Sequence, residues 1–197
     1  MLRCFNFKVW MSALGAILWA FSSYYFIIIA AGLFSLTVLA QPTPTTFLDV
    51  QIAGSKETVA QQLKDAGFTE FTRQDMYEGE FMGEQVSVRI SWWKPIKQVV
   101  SLFVAGTQKY ESAEAIRRFH NILSEFEKDP KYTADPANRR IPSGATLSHE
   151  YLSDNGSFEA KFYQNGDKKK VVTCAVSCMD GLFYIRWLFS NKYNSNK

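Results

Sequence analysis

Residues 171–189 alternate apolar and polar positions in two runs, one on either side of Asp180-Gly181. Asp-Gly is favoured where both turn residues take a positive φ, so the pattern predicts a β-hairpin with a two-residue turn. In that register Met179 faces Leu182, Cys178 faces Phe183, Val176 faces Ile185, Cys174 faces Trp187 and Val172 faces Phe189. All eight residues of the last four pairs are apolar and share one face. Thr173, Ala175, Ser177, Tyr184 and Arg186 share the other. A slip of one residue would mix the two sets, so the register is strongly specified, and the apolar face requires a layer packed on it.

The remaining pattern supplies that layer. Leu48, Val50 and Ile52 alternate as a short strand or arm. Ser55 is suited to cap a helix over residues 56–66, because its hydroxyl can accept a first-turn N–H. Val59, Leu63 and Ala66 line one side of that helix, and Gly67 suits the position just past its end. Residues 68–73 form a possible short strand, and residues 76–81, 86–92 and 98–105 predict a three-stranded meander. With Gly83-Glu84 as the first loop, Phe81 meets Val86, Gly79 meets Val88 and Tyr77 meets Ile90. The third strand is partly apolar on both faces.

A second helix is predicted over residues 112–128, capped by Ser112. Ile116, Phe119, Leu123 and Phe126 form its stripe, while Arg117, Arg118, Asn121, Ser124, Glu125 and Lys128 face away. Residues 131–144 read as a long polar loop. Residues 147–152 and 157–163 predict a hairpin about Asn155-Gly156, in which Glu150 faces Lys161. A loop at Asn165-Gly166-Asp167 sets Phe158, Ala160 and Phe162 beside Cys174, Val172 and Lys170. The expected fold is α+β: an antiparallel sheet of about seven strands, built from two helix-plus-meander units, with two helices packed on one face. Residues 47–190 form that single domain, after a linker at 41–46 and before a polar tail at 191–197.

The first 40 residues differ in kind. No charged residue occurs between Lys8 and Asp49, and residues 10–40 are dominated by apolar side chains. Arg3 and Lys8 precede the run, as in the positive region of an export signal. Val38-Leu39-Ala40 before Gln41 resembles a signal-peptidase site, and Pro42 and Pro44 follow. The run is also long enough, at about 20 residues or more, to span a bilayer. Two readings stay open: a cleaved export signal, or an uncleaved membrane anchor over residues 9–40. Translation from Met11 would remove both basic residues. Either main reading places residues 41–197 beyond the cytoplasmic membrane, in the periplasm or cell envelope.

Charge argues against nucleic acid as a partner. The chain of 197 residues carries a formal net charge of +3; taking Arg3 and Lys8 from its 22 basic residues leaves 20 against 19 acidic ones. Nucleic-acid binding calls for a clustered basic face, which this balance does not supply. Cys174 and Cys178 follow the leader. Four residues of straight strand span roughly 13 Å, too far for a disulfide, so both read as unbridged thiols.

Candidate chemistry is sparse. His120 lies beside a helix stripe and His149 on a predicted strand, with no nucleophile elbow to join. No metal-ligand spacing and no cofactor motif occur, so no metal and no cofactor are expected. Glu78, Glu80 and Glu84 flank a turn as a solvated face. Lys168-Lys169-Lys170 and Arg139-Arg140 read as charged loops. Trp92-Trp93 is more informative, because neighbours on a strand point to opposite faces. Alternation with Ile90 puts Trp92 in the core and Trp93 outside. Trp93, Tyr184 and Arg186 then form an expected partner or ligand surface of aromatic and basic character.

Three stretches carry a resemblance: Phe47-Leu-Asp-Val-Gln-Ile-Ala-Gly-Ser55, Leu63-Lys-Asp-Ala-Gly-Phe68, and Gly79-Glu-Phe-Met-Gly83 with Val86-Ser-Val88. Together they resemble uncharacterised exported proteins of Bacteroidetes. The helix-plus-meander plan is similar to β-lactamase-inhibitor-like and outer-membrane-assembly lipoprotein folds, which implies protein binding rather than catalysis. The expectation is an exported, non-enzymatic module that binds a protein or other envelope component. The alternatives are a hydrolase with a site near the 131–144 loop and a membrane-anchored structural component.

Overall fold

Asp180 and Gly181 take φ values of +54° and +78°, as the turn between two long strands requires. The computed structural model describes residues 42–71, 75–142, 144–154 and 158–194. The export signal or anchor expected over residues 1–40 lies outside them, as does the Asn155-Gly156 turn. No helix among the described residues is long and apolar enough to cross a membrane.

The chain runs β1 (Thr46–Phe47), β2 (Val50–Gln51), α1 (Lys56–Asp65), β3 (Thr69–Phe71), β4 (Met76–Phe81), β5 (Glu84–Trp93) and β6 (Gln98–Gly106). It continues through α2 (Ser112–Lys128), β7 (Tyr132–Ala134), α3 (His149–Asp154), β8 (Glu159–Gln164), β9 (Lys170–Met179) and β10 (Leu182–Asn191). A short 3₁₀ turn, Lys94–Ile96, joins β5 to β6. The fold is α+β. Its main sheet has eight antiparallel strands in the order β3-β4-β5-β6-β10-β9-β8-β7, and β1 and β2 form a separate small hairpin.

Five predicted pairs of the last hairpin hold residue for residue, from Met179 with Leu182 to Val172 with Phe189. The register then propagates across the sheet. Tyr77, Val88, Val104, Trp187, Cys174 and Ala160 form one cross-strand row. Ile90, Leu102, Phe189, Val172 and Phe162 form the next. These rows make one core with Val59 and Leu63 of α1 and with Phe119, Ile122, Leu123 and Phe126 of α2.

Helix α1 begins where its cap predicts, with the Ser55 hydroxyl accepting from Thr58 N at 3.2 Å. It ends on Gly67 at φ +90°, where Phe68 N donates to Leu63 O. Helix α2 also falls over its predicted range, but Ser112 does not cap it. The N-cap is Glu111, and the Ser112 hydroxyl accepts from Leu147 N at 2.7 Å.

Other readings are corrected. Residues 147–152 are not a strand. The Ser148 hydroxyl accepts from Tyr151 N and starts α3, so Glu150 does not face Lys161 across a hairpin. The 131–144 loop contains β7, which makes the eighth strand of the sheet. The β4–β5 turn is Met82-Gly83, both at positive φ, so Phe81 meets Glu84 and Tyr77 meets Val88. The pairing moves by two residues and the faces are kept. The β8–β9 register moves likewise, with Ala160 beside Cys174 and Phe162 beside Val172.

The ends of the domain reach past 47 and 190. Gln164 binds both backbone groups of Thr46: its Oε1 accepts from Thr46 N at 2.8 Å and its Nε2 donates to Thr46 O at 2.5 Å. The Thr45 hydroxyl donates to Ser190 O. Asn191, expected in the tail, is buried in β10 and donates to Ile52 O at 2.8 Å.

Candidate functional site

The same pleat that fills the core builds a second surface on the side away from α1 and α2. Phe71, Met76, Arg89, Phe103, Leu188, Thr173 and Lys161 pair successively across seven strands, from β3 to β8. Cross-strand partners share a face, so these side chains form one row. At the usual strand spacing it runs roughly 29 Å. Phe71 is 54% exposed, and Phe103 and Leu188 are half-buried. The Arg89 guanidinium lies 5.8 Å from the centre of the Phe103 ring.

A second row holds Thr69, Glu78, Ser87, Ala105, Arg186, Ala175 and Glu159. Arg186 donates to Glu159 Oε1 at 3.0 Å across Ala175, which buries the alanine. Tyr184 lies beyond Arg186 on β10, with Lys109 Nζ 3.9 Å from its ring centre. The exposed Met179 completes this end and is 3.7 Å from the same ammonium.

Tyr184 and Arg186 therefore stand together on the helix-free face. Trp93 does not join them. Arg186 is in line with Ser87 on β5, and six residues of strand separate Ser87 from Trp93, roughly 20 Å. The expected order of exposure at Trp92-Trp93 is also reversed. The register shifts between Ser91 and Trp92, leaving Trp92 40% exposed and Trp93 half-buried.

His149 starts α3 and is exposed. It lines a shallow basin of about 510 Å³ with Leu152, Ser153, Ser177, Cys178 and Tyr184. His120 is held below the ordinary histidine range, first by burial and then by the charge of Arg140. Cys174 and Cys178 are unbridged thiols, and burial pushes the Cys174 thiol far up. Among the described residues no three His, Cys, Asp or Glu side chains gather to hold a metal ion. Polar groups of the 131–144 segment tie it down. Asp135 accepts from the Tyr163 hydroxyl, Asn138 and Lys161 exchange two hydrogen bonds, and Arg140 pairs with Glu127.

The ion pair between Glu84 and Arg118 is withdrawn from solvent. Glu84 Oε1 accepts from Arg118 Nε at 2.6 Å and from the Tyr110 hydroxyl at 3.0 Å. Arg118 was placed on the outward side of α2 by its spacing, and it turns inward because Glu84 belongs to β5. Burial, then the bond to Glu84, pushes the Tyr110 phenol up to about 12.

Phe71, Met76, Phe103 and Leu188 were not singled out by sequence. Apolar residues on both faces of 98–105 were the available signal, since a strand with one solvated face ordinarily alternates. No family model, curated protein or solved structure matches the chain.

Proposed function

We propose that the protein is an exported binding module of the bacterial envelope, docking a protein partner on the helix-free face of its sheet. The row from Phe71 to Leu188 carries this reading. It sets aromatic and aliphatic side chains across seven strands of one sheet, with Arg89 over Phe103 and Lys109 over Tyr184. Aromatic residues, methionine and arginine are enriched in protein interfaces, and contiguous exposed apolar patches mark interaction sites.

We read the sheet as two helix-plus-meander units, α1 with β3–β6 and α2 with β7–β10, meeting where β6 pairs with β10. We also take that plan as similar to the β-lactamase-inhibitor-like folds, whose members bind proteins, as analogy of plan alone. The apolar run of residues 10–40 behind Arg3 and Lys8 supports export.

Two measurements test it. The N-terminus of protein recovered from a fractionated bacterial host should begin at Gln41 in the soluble envelope fraction, or be intact in the membrane fraction if residues 9–40 anchor it. Recovery in the cytosol contradicts export. Phe103→Glu with Leu188→Lys, an opposite-charge pair across the two strands, should keep the fold and abolish co-purification of an envelope partner, while Trp93→Ala should leave it unchanged. Undiminished recovery of the partner with the double variant contradicts this choice of face.

A further inference from the structure

Two turns on the helix side put large apolar side chains where turns usually take Gly, Asn or Asp. Leu48 lies in the two-residue turn between β1 and β2 at φ +52°. Met82 lies in the turn between β4 and β5, also at φ +52°. Lys97 shares this left-handed backbone with its side chain in solvent, and so do Asp75, Asn165 and Asp180, whose short polar side chains tolerate it. For Leu or Met it costs on the order of 1 kcal/mol. Local rules broken in this way tend to mark function. The alternation sets Leu48 on one side with Val50 and Ile52. Instead Phe47, Val50 and Ile52 are buried and Leu48 is 41% exposed.

Both side chains line one groove of about 300 Å³, between these turns and the C-terminal end of α2. Phe81, Phe126 and Tyr132 supply its aromatic lining. These rings are braced from behind, Phe81 by Phe47 at 5.0 Å between centres and Phe126 by Phe162 at 4.9 Å. Arg118 fixes the second turn by donating to Met82 O while it holds Glu84. The rest of the lining is charged: Glu125, Asp129 and Lys131. Two carboxylates and the negative end of the α2 dipole outweigh one ammonium. Lys131 Nζ itself lies 5.7 Å from the centre of the Tyr132 ring.

We propose that this groove binds a small amphiphilic cation, an alkyl or arylalkyl ammonium. Its apolar body lies between Leu48 and Met82 against the aromatic rings, and its charged end meets Glu125 and Asp129. The volume is at the small end of ligand sites, which run from about 300 to 1,000 Å³. Aromatic faces attract cations, and an anion would meet both carboxylates. The groove is on the helix side, so the inference does not rest on the helix-free face.

NMR titration of the purified protein with 4-phenylbutylammonium, 4-phenylbutanol and 4-phenylbutyrate tests it. The ammonium should give saturable shifts at Met82 and Tyr132 and bind at least about tenfold tighter than the alcohol, with the carboxylate weakest. Glu125→Gln with Asp129→Asn should bring the ammonium to the alcohol's affinity. Lys131→Gln should tighten the ammonium severalfold. Leu48→Asn with Met82→Asn should keep or raise the melting temperature and weaken the ammonium at least about tenfold. Equal affinity for the three probes, saturable shifts elsewhere, or no saturable shift at millimolar ammonium would overturn the site. Loss of folding in the double Asn variant would overturn the reading of the two turns.

Discussion

Arg118 Nε lies 2.6 Å from Glu84 Oε1, with the Glu84 side chain 2% exposed and that of Arg118 21%. This pair joins α2 to the start of β5 and fixes the β4–β5 turn, because the same guanidinium donates to Met82 O. Exposed pairs such as Arg117 with Glu114 contribute about 0–1 kcal/mol. Removing one partner of a buried pair costs about 3–5 kcal/mol, because the other charge is left in a poorly solvated place.

Arg118→Met should therefore lower the unfolding free energy by about 3 kcal/mol, read from urea denaturation. Glu84→Leu and Tyr110→Phe combined with Arg118→Met should recover much of that loss, since neither a charge nor the Tyr110 hydroxyl is stranded. A cost below about 1 kcal/mol for the single change would place the pair with surface pairs.

Tyr110 predicts an alkaline limb to stability. Its folded value of about 12 exceeds the ordinary 10, so the folded state favours the neutral phenol. This contribution is complete below about pH 10. Above that the unfolded chain loses its proton first, and stability falls until the folded phenol ionises near pH 12. The whole effect is at most about 3 kcal/mol. Tyr110→Phe should flatten the difference between pH 9 and pH 11 relative to wild type in denaturant unfolding. Identical slopes for the two proteins would contradict the assignment.

Much of the sheet was legible because a buried face fixes register. Residues 171–189 specify their pairing through eight apolar side chains, and Asp-Gly at the turn agrees with them. The β4–β5 and β8–β9 pairings were legible only in their faces. A two-residue shift preserves the alternation, so the choice falls to distant contacts: Glu84 with Arg118, and Gln164 with Thr46. Residues 147–152 alternate weakly and were decided by a local cap at Ser148. The proposed docking surface was half legible. Tyr184 and Arg186 follow from the last hairpin, whereas the row through Phe71 and Phe103 depends on strand order, which no local pattern encodes. Trp93 was misplaced because one register shift at Ser91-Trp92 ends simple alternation.

Gln164 is 2% exposed and satisfies both backbone groups of Thr46. Gln164→Leu keeps the apolar bulk and leaves those groups without their partners, at a cost of about 1–3 kcal/mol. Amide exchange at Thr46 should accelerate strongly, while Val104 in the central strand keeps its protection. Unchanged exchange at Thr46 would show that β1 is held without the glutamine.

Site-specific photocrosslinking in a bacterial host reads whether a partner docks on the helix-free face. A photoreactive phenylalanine analogue at Phe71, Phe103 or Leu188 should each give a discrete adduct of one mass with an envelope protein. The same analogue at Arg117, exposed on α2, should give none. Adducts from Arg117 alone, or none from the three sheet positions in the expressing host, would contradict the account.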